Sequence, residues 1–265
     1  MLSVSEPQPA VPAPEPVPAD SASEMQGEVA AIPEVPPLLE PPPEPPAEVE
    51  PMGPVPPAVD PSICQPPSGV SGRPRNLSQA ISLINSLPRP TTLPCFLQAL
   101  ERPLQVYMTR SDQSLQPSPG ARSPRTFIVN EPLVMSIVFE GDAQVTLELG
   151  YRTAEARSIK TELVFPLRSD VTVANMFDEV MNGRVTRCSA CHTSESELFN
   201  DEIQANVFES DTYAPFEVYE VDVESVRGEN ASCDKAAEPA RCALLSALFD
   251  HGDVVPAPQG IQFSL

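Results

Sequence analysis

An α+β fold class follows from three features of the chain. The start is acidic and Pro-rich, the middle alternates apolar and polar residues with period two, and the last third mixes helical spacing with one more alternation. The expected architecture is a disordered Pro-rich N-terminal stalk over residues 1–72, an antiparallel β-rich unit over 73–168, and a mixed helix/strand segment over 169–265. The last two are able to pack as one domain.

The stalk is a matter of composition. Of the 35 prolines, 21 lie in residues 1–67, and residues 1–72 hold 11 acids with no lysine or arginine. Such a segment buries too little apolar surface to offset its ordering entropy. Runs such as Pro41-Pro42-Pro43 favour extended polyproline II, which like charges stiffen. Read functionally, it is a spacer holding the folded part away from an envelope tether placed before or within it, or a ligand for a Pro-binding partner. Inert disorder accounts for the same composition.

Folding is expected to begin near Asn76, a helix cap before the apolar face Leu77, Ile81 and Ile84, with Pro88 and Pro90 as the stop. Pro94–Leu100 adds a further helical turn. The period then becomes two: strands are expected at Leu104–Thr109 and Thr126–Val129, and in the alternations Leu133-Met135-Ile137-Phe139, Val145-Leu147-Leu149 and Ile159-Leu163-Phe165. Residues 140–143 read as a hairpin loop. Gln144, Thr146, Glu148, Lys160 and Glu162 fill the alternate positions, as in an antiparallel sheet with one wet face. Beyond Asp170, Val173–Met181 has helical spacing ended by Gly183. Tyr219-Val221-Val223 alternates as a strand, and Glu238–Asp250 forms a closing helix that buries Leu244, Leu245, Leu248 and Phe249.

Charge narrows the partners. The net charge is −21, and residues after 72 still carry 26 acids against 16 bases. Phosphate-backbone binding needs clustered positive charge, so nucleic acid is excluded as a partner, and an anionic membrane surface is disfavoured likewise. No run approaches the roughly 18 apolar residues of a membrane helix. Met1–Ala10 lacks the basic start and apolar core of a secretory signal. No phosphate loop or nucleophile elbow is present.

The sharpest motif is Cys188-Ser189-Ala190-Cys191-His192. Two thiols at this spacing reach the two vinyl groups on one porphyrin edge, and the adjacent imidazole turns back to the iron. In these five residues the chain resembles c-type cytochromes. The resemblance implies covalent haem c held by Cys188 and Cys191, with His192 as proximal iron ligand. It also gives Val173–Met181 and Glu238–Asp250 the roles of the helix before the motif and the terminal helix near the haem. The usual distal methionine is missing, since no Met follows Met181. His251, the only other histidine, is the tentative distal ligand, with Met108, Met135, Met176 and Met181 as unusual substitutes.

Other readings of the motif stay open: a plain Cys188–Cys191 disulfide, zinc held by Cys188, Cys191, Cys233 and Cys242, or a thioredoxin-type redox pair. The remaining cysteines are disulfide candidates. Local pairing would join Cys64 to Cys95 and Cys233 to Cys242, each closure contributing roughly 2–4 kcal/mol, while the other two connectivities and buried free thiols stay open. Cysteine usage of this kind points to a periplasmic, envelope or extracellular site. The leading expectation is a monohaem electron-transfer protein working with a redox partner protein, with a haem sensor second. The alternative is a disulfide-bonded envelope interaction protein without cofactor. Glu195 and Glu197 are expected on a solvated surface, and Asp112, Arg122 and Arg125 in a polar loop with surface ion pairs.

Overall fold

Among the described residues, four of the five helices start where a side chain satisfies a free N–H group of the first turn. A computed structural model describes residues 64–111, 114, 116–118, 120–154, 156–200, 205–212 and 219–258; of the stalk expected over 1–72, residues up to 63 lie outside the described residues, whereas 64–72 pack on the fold, with Cys64 and Gly72 buried and the Gly72 carbonyl accepting from the Glu101 N–H. Helix α1 (Leu77–Ser86) begins at Asn76, whose Oδ1 accepts from the Gln79 N–H at 2.8 Å. Helix α2 (Leu93–Ala99) begins at Thr92, which accepts from the Cys95 N–H, and has Pro94 in its first turn. Helix α3 (Val173–Asp178) opens on a capping box between Thr172 and Asn175. Helix α4 (Val223–Ala231) is capped by Asp222, and α5 (Pro239–Phe249) starts on a proline.

The strands are β1 (Leu104–Thr109), β2 (Arg125–Asn130), β3 (Leu133–Ile137), β4 (Thr146–Ala154), β5 (Arg157–Val164), β6 (Met181–Asn182), β7 (Val185–Thr186), β8 (Ser196–Asn200), β9 (Ala205–Asp211) and β10 (Val254–Pro256). Eight of them form one sheet in the order β10-β1-β2-β3-β4-β5-β9-β8. Every pairing is antiparallel except β1 with β10, where Leu104 lies beside Val254. The fold is thus α+β with a large, mostly antiparallel sheet. Strands β6 and β7 make a separate two-stranded hairpin, turned at Gly183 with φ +70°. All described residues belong to one compact unit, Val55–Leu265, and the sheet draws strands from both sides of the expected 168/169 boundary.

Register sorts the side chains. Leu104, Val106, Met108, Ile128, Leu133, Met135, Ile137, Leu147, Leu149, Ile159 and Leu163 share one sheet face and join the helices in one buried apolar core. Helix α5 packs on α2 and α4, and α3 packs on β5 and β9. Arg102 closes the end of α5: its Nη1 donates to the Leu248 carbonyl at 2.7 Å and its Nη2 to Ala247 at 2.8 Å. Burial lowers the Arg102 pKa to about 10. A Cβ on Gly252, whose φ is +125°, would meet Arg102 Cγ at 2.8 Å, so the turn after α5 requires glycine.

Four expectations need correction. The β3–β4 connection is longer than a four-residue hairpin, because Asp142–Val145 forms a 3₁₀ turn before β4 starts at Thr146. Residues 219–223 form no strand: Asp222 accepts from the Ser225 N–H, so Val223 opens α4, and Glu220 makes only a bridge to Thr109. Helix α3 stops at Asp178, because the Asn182-Gly183 turn draws Met181 into β6. The face expected to be wet is dry, since Glu148, Lys160 and Glu162 are 9%, 5% and 5% exposed.

Candidate functional site

The dry polar face is where the Cys188–His192 motif lies. Near β1–β3 that face carries a small apolar cluster of Phe127, Val129 and Val134. Toward β4 and β5 it carries charge. Two segments cover it. From the loop between β1 and β2, Gln116 (1% exposed) donates to the Thr146 and Ser136 carbonyls and accepts from the Ser136 hydroxyl. Arg125 pairs with Glu148 while lying 4.9 Å over the Phe127 ring, so it belongs to β2 and the covered face rather than to a surface loop. Arg122 does make surface pairs, with Glu140, Glu229 and Glu238; Asp112 lies outside the described residues.

The second cover leads out of the β6–β7 hairpin. Residues Arg187–Ala190 form a 3₁₀ turn, closed by the Cys191 and His192 N–H groups donating to the Cys188 carbonyl at 3.1 and 2.8 Å. Arg187 pairs with buried Glu162 of β5 and donates to the Glu179 carbonyl. Glu195 accepts from the Thr186 N–H at 2.7 Å and from the Thr186 hydroxyl. Glu195 therefore anchors the motif's turn, which corrects its reading as solvated surface; Glu197 remains exposed. Ser194 takes a φ of +57°, an uncommon conformation for a non-glycine residue, directly after the motif. Arg157 holds that bend by donating to the Ser194 carbonyl at 2.8 Å and to the Ser196 hydroxyl at 3.1 Å.

One carbonyl organises the centre. Asp211, the last residue of β9, accepts on its backbone oxygen from Lys160 Nζ at 3.0 Å and lies 2.8 Å from His192 Nδ1. Its carboxylate takes Arg157 at 2.9 Å and the Thr193 hydroxyl at 2.8 Å. Hydrogen bonds from Thr193, Ser194 and Arg157 hold that carboxyl below the usual range. Lys160 also donates to the Ser158 hydroxyl at 2.8 Å and the Ser210 hydroxyl at 3.0 Å. Burial lowers the Lys160 pKa to about 8, so the ammonium is still charged at neutral pH.

Burial first, and then the Lys160 charge, brings the His192 pKa down to about 4. The imidazole is neutral at pH 7. With the Asp211 carbonyl as acceptor, its proton sits on Nδ1 and its ligating lone pair on Nε2. Cys188 is half-buried, and burial pushes its thiol up; Cys191 is exposed, and neither forms a disulfide.

The remaining sulfurs are paired. Cys64 and Cys95 are at bonding distance, as are Cys233 and Cys242, closing chain separations of 31 and 9 residues. The zinc set considered from the sequence is therefore not assembled, because two of its four thiols are bonded to each other. Among the described residues no group of three or more His, Cys, Asp or Glu could hold a metal ion. The donor chemistry of the motif does fit haem c, with two thiols outside any disulfide and a neutral imidazole whose Nδ1 is engaged by the Asp211 carbonyl.

The distal assignment does not fit. His251 lies in the turn just before β10, whereas His192 contacts the end of β9, and the five strands β1 to β5 lie between. The strand order thus separates the two histidines and gives them no shared element that would bring both to one iron. The terminal helix α5 lies on α2 and α4, not beside the motif as a cytochrome's would. Met108, Met135 and Met176 are buried in the apolar core, and Met181 sits opposite Thr186 on the hairpin leading into the motif. The roles of Lys160, Asp211 and Glu195 at this centre are not legible in the sequence, where a lone lysine at an alternating strand position is the one available signal.

No family model matches this chain, and neither a curated protein nor a solved structure matches it.

Proposed function

We propose that the chain is a monohaem c-type protein of the cell envelope that transfers electrons to a protein partner. One observation carries the reading: four of six cysteines are paired in cystines, while the two left as thiols stand three apart beside a neutral, Nδ1-oriented histidine. The cystines themselves suit an oxidising compartment, where a bare thiol pair with one exposed member would be oxidised. Among the described residues no helix is long and apolar enough to cross a membrane, so any tether lies elsewhere in the chain or outside it.

In this reading Cys188 and Cys191 would hold the porphyrin covalently through thioether links. His192 offers Nε2 to the iron, oriented by the Asp211 carbonyl. Haem iron supplies a one-electron couple. Glu195, Arg157 and Arg187 hold the turn in place.

The test is to mature the full chain with a haem-attachment system. A Soret band, the mass gain of one haem, and their loss in Cys188→Ala support the reading. Colourless protein of unmodified mass overturns it and leaves the disulfide-bonded interaction protein. A Cys188–Cys191 disulfide in that product would instead favour a thiol redox pair.

A further inference from the structure

Lys160 is the unexplained charge of the site. It is 5% exposed, and its three hydrogen bonds go to two hydroxyls and one carbonyl, all neutral oxygens. The carboxylates around it are engaged otherwise: Glu148 with Arg125, Glu162 with Arg187, Asp211 with Arg157, and Glu195 with Thr186. The Asp211 carbonyl receives both Lys160 Nζ and His192 Nδ1, which places the two nitrogens within about 6 Å of each other, close enough for a charge to act strongly.

We infer that Lys160 is a positioning residue that raises the reduction potential of the group ligated by His192. Two effects act in the same direction. A fixed positive charge in a dry environment favours the reduced iron, which carries one positive charge fewer. An ammonium sharing the carbonyl also makes that oxygen a weaker acceptor for the His192 Nδ1–H, so the imidazole donates less electron density through Nε2. Both depend on the backbone of β9 lying between β5 and the motif, as the pairing of Ser158 with Ser210 secures. The inference rests on the haem reading above.

The experiment is potentiometric titration of the full haem-loaded chain. Lys160→Met removes the charge without leaving a buried polar stub, and is expected to shift the reduction equilibrium about tenfold toward oxidised iron. That is a fall of about 59 mV for one electron. Ser210→Asp keeps the lysine and sets a carboxylate against it, with a fall in the same direction expected. Lys160→Arg retains the charge and should hold the wild-type potential. An unchanged or raised potential in haem-loaded Lys160→Met, or in Ser210→Asp if the first variant does not fold, overturns the inference while leaving the haem reading intact. Absence of haem in the wild type overturns the haem reading and the inference with it.

Discussion

The two faces of the sheet are buried to a similar degree by opposite means. On one, Met135, Ile137, Leu147 and Leu149 meet the helices with no polar atom to satisfy. On the other, Glu148, Lys160 and Glu162 are nearly as inaccessible, yet each charge is held by a hydrogen bond or an ion pair. The apolar face gains its stability from removal of hydrocarbon from water. The polar face gains little net stability from its ion pairs, because desolvation offsets much of the attraction. What it gains is fixed charges at fixed places beside the Cys188–His192 turn. Stability and chemistry are therefore assigned to different sides of one sheet.

The comparison is broken most directly on the apolar side. Phe96→Ala in α2 removes a fully buried ring whose centroid lies 6.3 Å from that of Phe165, and should cost about 3–5 kcal/mol in urea denaturation. A loss below about 1 kcal/mol would mean that the helix layer is not what stabilises the fold.

On the polar side, Glu148→Ala strands the half-buried Arg125 guanidinium and should cost about 3 kcal/mol. The double variant Arg125→Met with Glu148→Leu should recover most of that loss. A double variant as unstable as the single one would show that the ion pair contributes net stability, contrary to the comparison.

The pH dependence of Lys160 sharpens the same point. Its folded pKa of about 8 lies below the model-peptide value of 10.5, so between those limits the unfolded chain holds more protons. Folding stability contributed by this group is therefore lower below pH 8 and rises as pH climbs to 10.5. Against Lys160→Met, which cancels the other titrations, the wild type should gain up to about 3 kcal/mol across that window. A flat difference would show that the lysine is hydrated.

The smallest effect belongs to neither face. Asn76→Ala removes the cap of α1 and should cost about 1 kcal/mol, read as a small fall in melting temperature, with no change in haem uptake.

Local chemistry is legible in the sequence. The cap at Asn76, the alternations of β3 to β5 and the apolar run of α5 each depend on neighbours in sequence. What failed to show was whatever depends on distant cover. Alternation at Glu148, Lys160 and Glu162 reads as a wet face unless one knows that residues near 116 and 187 fold over it. Tyr219-Val221-Val223 alternates like a strand, and only the Asp222 cap decides for helix. Strand β10 is three residues long and pairs with a strand some 150 positions earlier in the chain, a contact with no local trace. The motif is legible as a motif; its hub at Asp211 is not, since Lys160 and His192 lie 51 and 19 positions before it in sequence.

Strand β10 has a consequence for assembly. The Ala257 N–H donates to the Val106 carbonyl, so by the alternation of a strand the ring nitrogen of Pro256 points away from β1. At that outward position there is no hydrogen to offer a newcomer. Strand β8, with Phe199 56% exposed, has no such stop among the described residues. A molecule whose sheet can be extended on one side only can dimerise through that side but cannot polymerise through it, because every partner that joins uses up the open edge.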